Sequence, residues 1–357
     1  MLVQRARELR CAREVQRRWT GRRDTSTSLS SSSSSSSSVA VSFVREKQTL
    51  QRRWCGARTA TETHPPIMCG ADESTRRCAD VEEEDVVLLR GVFDAHSHVH
   101  LDPSTSNAET ACCALLRSGV MATRESDWDA LERLSTCEDA SLELGFGLHP
   151  WWARERQAGW DDRLRAVLRR NPAAIVGEIG LDKTSGKRAP ARDWEEQLET
   201  FEISLDVAAE MRRAACLHCV KAWGYLIEDC LKRRTQHPKQ QLPPRILLHS
   251  FSGSPETVHR IVTMLDAVNC DAYFGFSWVV NGAARDAKRR ERVMETIRSV
   301  PATRLVLESD LSVAGDVAGD LRRGLKLIAE ARSWSLSETI EKTAANAANF
   351  YQPVPVQ

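Results

Sequence analysis

The sequence predicts an α/β fold, a (β/α)8 TIM-type barrel with a disordered N-terminal extension, and three observations lead there. From residue 86 onward, short apolar runs alternate with longer amphipathic ones, which implies a parallel sheet. Eight such pairs fit in about 260 residues, the number and length at which a parallel sheet closes on itself. Histidines and carboxylates recur in step with the predicted strand ends. An open doubly wound sheet is the structural alternative, but no Gly-rich fingerprint follows the first strand. The predicted division is an extension over 1–85 and a barrel over 86–352.

In chain order, the strands are expected at 89–96, 120–123, 142–149, 173–179, 214–220, 245–251, 271–277 and 304–308. Each is a short run rich in apolar residues, bounded by polar or turn-forming ones. Helical spacing follows at 107–118, 127–138, 160–170, 192–213, 222–235, 255–267, 283–299 and 317–332, with a last helix near 336–349. Ser254-Pro255-Glu256 supplies a cap, a first-turn proline and a first-turn acid, and Ser335-Leu-Ser-Glu338 resembles it.

The extension has a different composition. Residues 1–60 hold thirteen Lys/Arg against four acids, a balance of +9, so the total of +1 leaves −8 on the remainder. Nine serines, Ser30 to Ser38, form a tract that cannot bury a core. Arg-rich, Ser-rich and acid-poor, the segment reads as a disordered basic extension, an organelle transit peptide, or an RNA-contacting arm. The acidic body argues against gripping nucleic acid over a broad basic surface, though not against a focused phosphate site. Eleven scattered cysteines suit a reducing compartment, and no apolar run approaches the roughly 18 residues of a membrane span. The expected location is intracellular, cytoplasmic or nuclear, with mitochondrion or plastid as the alternative.

The chemistry begins at Asp94-Ala-His-Ser-His98. In an extended strand, positions i and i+2 share a face, so His96 and His98 can aim at one point. Glu178, His218, His249 and Asp310 then fall at predicted strand ends. Their spacings of 40, 31 and 61 residues correspond to one, one and two β/α units. The C-terminal strand ends of a barrel converge on one face, where reactive groups gather. Four imidazoles and two carboxylates are too many donors for one tetrahedral zinc but suit two divalent ions, Mg²⁺, Mn²⁺ or Zn²⁺, that activate a water. Glu178 is the candidate bridge and Asp310 the candidate base. His149 is read as substrate-facing or as a hydrogen-bonded buried histidine, and Lys183 as a phosphate contact or a solvated loop residue. Asp94 orients a ligand or a backbone turn. Cys216 and Cys219, flanking His218, are read as small apolar fillers. Trp151, Trp152 and Trp278 follow strand ends, where they suit base stacking or lip packing.

Six motifs occur in this order: Asp94-Ala-His-Ser-His98, Gly147-Leu-His-Pro150, Gly177-Glu-Ile-Gly-Leu-Asp182, Leu217-His218, His249-Ser-Phe-Ser-Gly-Ser254 and Leu307-Glu-Ser-Asp310. Together they resemble the TatD family of metal-dependent hydrolases in the amidohydrolase-like barrel group, and Asn346-Ala-Ala-Asn-Phe350 resembles that family's closing segment. The resemblance covers about 91–351. It implies a two-ion nuclease, commonly acting on DNA, with His96, His98, Glu178 and Asp310 around one metal and Glu178, His218 and His249 around the other. The chain departs from the family pattern at Val99-His100, at Lys183 where an aromatic is usual, at Val220 for arginine, and at Ser312 for proline. None of these removes a ligand. The expected function is a deoxyribonuclease acting on single-stranded DNA or DNA ends, with no obligate protein partner. A metal-dependent amide or ester hydrolase on the same barrel, including one acting on aminoacyl esters, is the alternative. A non-enzymatic interaction protein is a third reading.

Overall fold

Eight parallel strands run side by side in chain order: β1 (Asp94–Ser97), β2 (Arg117–Met121), β3 (Ser141–Phe146), β4 (Ile175–Asp182), β5 (Ala215–Val220), β6 (Arg245–Leu248), β7 (Asp271–Phe276) and β8 (Leu305–Leu307). Each is hydrogen-bonded to the next. The structure is a computed structural model that describes residues 91–102, 117–134, 141–184, 192–237, 241–282 and 286–354. The predicted extension 1–85 and its boundary lie outside the described residues.

Backbone bonds at the C-terminal ends draw the first and last strands together. Asp310 N donates to His96 O at 2.9 Å, and His98 N donates to Leu311 O at 2.8 Å. The buried Asp94 carboxylate accepts from Ser309 N (2.8 Å), Ser309 Oγ (2.6 Å) and His96 N (3.2 Å). It therefore orients backbone on both sides of the closure. Sheet closure and the placing of Asp310 beside the histidine pair are thus one set of interactions.

Inside the barrel, Phe93, Met121, Ile175, Cys216, Leu247 and Val306 form a buried apolar plug. The last helix, Leu336–Tyr351, joins this plug through Ala347, Phe350 and Tyr351. Tyr351 Oη donates to Ala95 O at 2.7 Å, and its ring stacks on Phe93 at 5.4 Å. A Cβ at Gly119 would overlap that hydroxyl, so the position has room only for glycine. A second apolar layer fills the space between strands and helices, with Leu164, Phe201, Leu231, Ile261, Ile297 and Ile328 facing inward.

Helix Trp160–Arg170 forms over the predicted residues, and most others agree within a few positions. Ser254 and Ser335 cap their helices as expected, accepting from Thr257 N and Glu338 N. The 222–235 segment forms a π-helical turn, Tyr225–Leu231, running into Lys232–Gln236. The predicted helix 107–118 needs correction at its end, because Arg117 and Ser118 already belong to β2, where Ser118 pairs with Asp94. Residues 107–116 lie outside the described set. Pattern alone carries no signal for where pairing with a neighbouring strand takes over from helical spacing.

Strand ends also differ from expectation. His98 and His249 each lie one residue past their strands, and His149 lies three past β3. Glu178 is mid-strand, because β4 runs on to Asp182. At these points the backbone leaves its ladder for bonds across the rim, such as His149 N to Thr123 O at 2.8 Å.

Candidate metal centre

One buried carboxylate organises the C-terminal face. Glu178 Oε1 lies 2.7 Å from His249 Nε2, 2.8 Å from His218 Nδ1 and 3.5 Å from His149 Nε2. Its other oxygen, Oε2, lies 3.1 Å from His98 Nε2 and 3.5 Å from His96 Nε2, yet makes no well-formed hydrogen bond. His96 Nε2 and His98 Nε2 approach each other to 3.1 Å. Asp310 Oδ1 faces both at 3.7 and 3.8 Å, while its Oδ2 accepts from Ser250 Oγ at 2.9 Å. Asp310 sits at φ +56°, a left-handed conformation unusual for a residue with a side chain. His96, His98, Glu178, His218, His249 and Asp310, scattered over more than 200 residues of chain, are thus gathered at one place.

The other ring nitrogen of His96, His98, His218 and His249 is in each case turned to a protein partner. His98 Nδ1 lies 2.8 Å from the Met121 carbonyl, so it carries a hydrogen and turns Nε2 toward the cluster. His96 Nδ1 faces Cys216 Sγ at 3.2 Å. His249 Nδ1 faces Glu308 at 3.7 Å, and His218 Nε2 faces Asp182 at 3.5 Å; both are too long for good hydrogen bonds. The Glu308 and Asp182 carboxylates favour a hydrogen on the outer nitrogens they face, whereas the Cys216 thiol both donates and accepts and does not fix the His96 tautomer. Four ring nitrogens crowd the two oxygens of one buried carboxylate, an arrangement held together either by protons on those nitrogens or by a cation among them. The donor set therefore fits divalent metal.

His149 differs. Trp151 N donates to its Nδ1 at 3.2 Å, so the neutral ring carries its hydrogen on Nε2, the atom turned toward Glu178 and His218. Its Nδ1 is occupied as an acceptor, unlike that of His98, which donates to the Met121 carbonyl.

Among the protein's own charges, burial pushes the Glu178 carboxyl up, but the surrounding His249, His149 and His218 outweigh it and hold it well below the ordinary carboxylate range. Burial works against protonating His249, yet Glu178 and Glu308 raise its pKa well above the ordinary value. His218 is raised too, against its burial, by Asp182 and Glu178. Burial and the neighbouring His249 lower His96 to about 4, and burial also lowers His149. The Asp94 carboxyl is pushed up to about 7 by burial.

Of the remaining candidates, Lys183 is exposed, its ammonium 5.0 Å from the centre of the Trp194 ring. His100 turns away from the cluster toward Asp127, 3.7 Å from its carboxylate. Cys216 and Cys219 are buried thiols, and burial pushes Cys219 up to about 12, which suits fillers rather than thiolates. Three supporting residues had no assigned role in the sequence reading: Asp182, Glu308, and Cys216 as a neighbour of His96. A Cβ at Gly275 would overlap the Glu308 carboxylate, so that glycine makes room for it. Strand alternation was the available signal for Cys216, which lies two residues before His218 on β5 and shares its face.

Fold and donor set together place the protein among the metal-dependent hydrolases built on a parallel barrel. The family model described as TatD related DNase matches residues 93–352, and the chain belongs to that family. It is 25% identical to Cut9-interacting protein scn1 of Schizosaccharomyces pombe, over 73% of this chain and 99% of the yeast protein. It is 24% identical to human 3'-5' RNA nuclease TATDN2, over 75% of this chain but 34% of the human protein. With the 3'-5' ssDNA/RNA exonuclease TatD of Citrobacter koseri it shares 26% identity over 46% of this chain and 55% of the bacterial one. The chain thus spans about half of the bacterial exonuclease and a third of the human nuclease. Among solved structures, YJJV, a TatD homologue from Escherichia coli, matches with a TM-score of 0.59 at 22% identity, covering 75% of this chain and 100% of that one. That likeness concerns the fold.

Proposed function

We propose that this protein is a two-metal phosphodiesterase that shortens single-stranded nucleic acid, DNA in the first instance, from its ends. The observation that carries the reading is the convergence of four imidazole nitrogens on both oxygens of the buried Glu178 carboxylate. His96, His98, Asp310 and Glu178 Oε2 would hold one divalent ion, and His218 Nδ1, His249 Nε2 and Glu178 Oε1 the other. When bound, such ions make a coordinated water acidic and neutralise the charge building on a phosphate. The relatives named as nucleases support the choice of bond.

The chain's own groups have separable parts. Asp310 is half-turned to the cluster, with one oxygen steadied by Ser250, and takes the proton of the attacking water. His149 offers its Nε2 hydrogen to a non-bridging phosphate oxygen. Asp182 and Glu308 hold the ring orientations of His218 and His249. No helix among the described residues is long and apolar enough to cross a membrane. An intracellular site of action, with no obligate protein partner, is part of this proposal.

The test is hydrolysis of end-labelled single-stranded DNA by the purified chain with added Mn²⁺, Mg²⁺ or Zn²⁺, alongside RNA, duplex DNA and amide and ester substrates. Activity on single strands should vanish with EDTA and fall at least about 100-fold in His218→Ala and Asp310→Ala. Full activity in both variants defeats the metal mechanism, and turnover of amides or esters alone defeats the nuclease reading.

A further inference from the structure

The lip beside the metal centre carries an exposed indole fixed in place by groups of the site itself. Trp151 is 40% exposed, and the other large exposed apolar side chains among the described residues are Val268 and Val279. A single exposed apolar side chain is ordinary; the bracing of this one is not. Its Nε1 donates to Asp182 Oδ2 at 2.6 Å, the same oxygen that faces His218 Nε2. Its ring meets His149 edge to face at 4.9 Å, and its backbone N–H holds the His149 tautomer. The indole is thus anchored to both the β3 and β4 sides of the site while part of its surface stays in water.

A cation stands nearby on the same rim. Thr123 O accepts from His149 N, which sets the turn after β2 against the start of the Pro150–Glu155 segment. The next residue, Arg124, lays its guanidinium 4.0 Å over the Trp152 ring. Its Nε is buried and faces Asp127 at 3.7 Å, so the donors turned toward water are those at the end of the guanidinium. About a third of the side chain remains exposed, at 36%. An arginine pre-set on an aromatic face, with donors to spare, suits a phosphate.

An apolar plate and a free-handed cation along one rim match the alternation of base and phosphate in a single strand. We propose that Trp151 is the stacking platform for the base next to the scissile bond, with Arg124 taking a neighbouring backbone phosphate. This rests on the nuclease reading and adds to it a reason for single-strand preference. A base lying on the indole must have left its own stack, which an unpaired end allows cheaply and an intact duplex does not.

The test compares two single-stranded oligonucleotides with the full chain and Mn²⁺, one with natural bases and one with abasic residues at the terminal positions. The wild type should prefer the base-bearing strand by between about 5-fold and 100-fold in kcat/KM, the range expected for one stacked base. Trp151→Ala should bring that ratio near one. Trp151→Phe, which lacks the N–H to Asp182 but keeps a ring, should retain most of it. Arg124→Ala should raise KM on both strands alike and flatten the salt dependence by about one phosphate contact. A wild-type ratio near one, a ratio that survives in Trp151→Ala, or one lost equally in Trp151→Phe overturns the platform. If neither strand is cut, the nuclease reading falls and the subsite with it.

Discussion

Glu178 shows how much chemistry one side chain can concentrate. Its depressed pKa and the raised values of His218 and His249 act on stability in opposite directions. Stability from the Glu178 carboxylate is present above its ordinary pKa and lost as pH falls through the depressed value. Stability from His218 and His249 is complete below their ordinary pKa and lost as pH rises through the raised values. Metal competes with those imidazolium protons. Divalent ions should therefore bind more tightly from pH 6 to pH 8 and release protons near neutrality, which calorimetry in buffers of different ionisation enthalpy measures directly. Affinity that is flat with pH would show that the two histidines are not ligands. At the same scale, Glu308→Gln and Asp182→Asn should each weaken metal binding by roughly 10–100-fold without unfolding the chain. Unchanged affinity in both would remove their supporting role. The residues gathered at the centre were legible in the sequence because their types and spacing carry the chemistry. Those that steady them were not, because the Asp182–His218 and Glu308–His249 pairings run between strands.

The first and last strands, with the final helix, set the geometry that the site inherits. Tyr351 reaches from the end of that helix to the Ala95 carbonyl, one residue before His96. Tyr351→Phe leaves that buried carbonyl without its partner and should lower unfolding stability by about 1–2 kcal/mol in denaturant titrations. Metal affinity should barely move, since the ring still stacks on Phe93. A large loss of affinity would mean that the helix positions the histidines as well as sealing the barrel. Capping serines and the helix Trp160–Arg170 could be read from sequence because caps and amphipathic periodicity are local. The end of β1 before His98 could not, since it depends on His98 N turning to Leu311 O across the closure.

For the whole molecule, the barrel core is separable in expectation from the basic, serine-rich first 85 residues. Deleting residues 1–85 should leave metal affinity and the thermal midpoint of the remainder unchanged, and a marked loss of either would make that segment part of the folded unit. Stripping metal should lower stability through simple linkage, by about 2.7 kcal/mol for ions held at 100 times their Kd. A midpoint indifferent to EDTA and to added Mn²⁺ would contradict resident ions. Residues 86–357 hold 35 Lys/Arg against 37 Asp/Glu, a near-neutral body that fits substrate held by metal and a few rim cations rather than by a broad basic surface.

What the sequence alone determined was the alternation that makes a barrel and the phase that puts His96, His98, Glu178, His218, His249 and Asp310 toward one end of it. Both are periodic properties of the chain, visible wherever local pattern and residue type suffice. Only the tertiary structure decided which nitrogen of each histidine faces inward, that His149 presents a hydrogen, and that Trp151 is braced by Asp182. Those outcomes depend on contacts between strands far apart in sequence, and no local pattern encodes them.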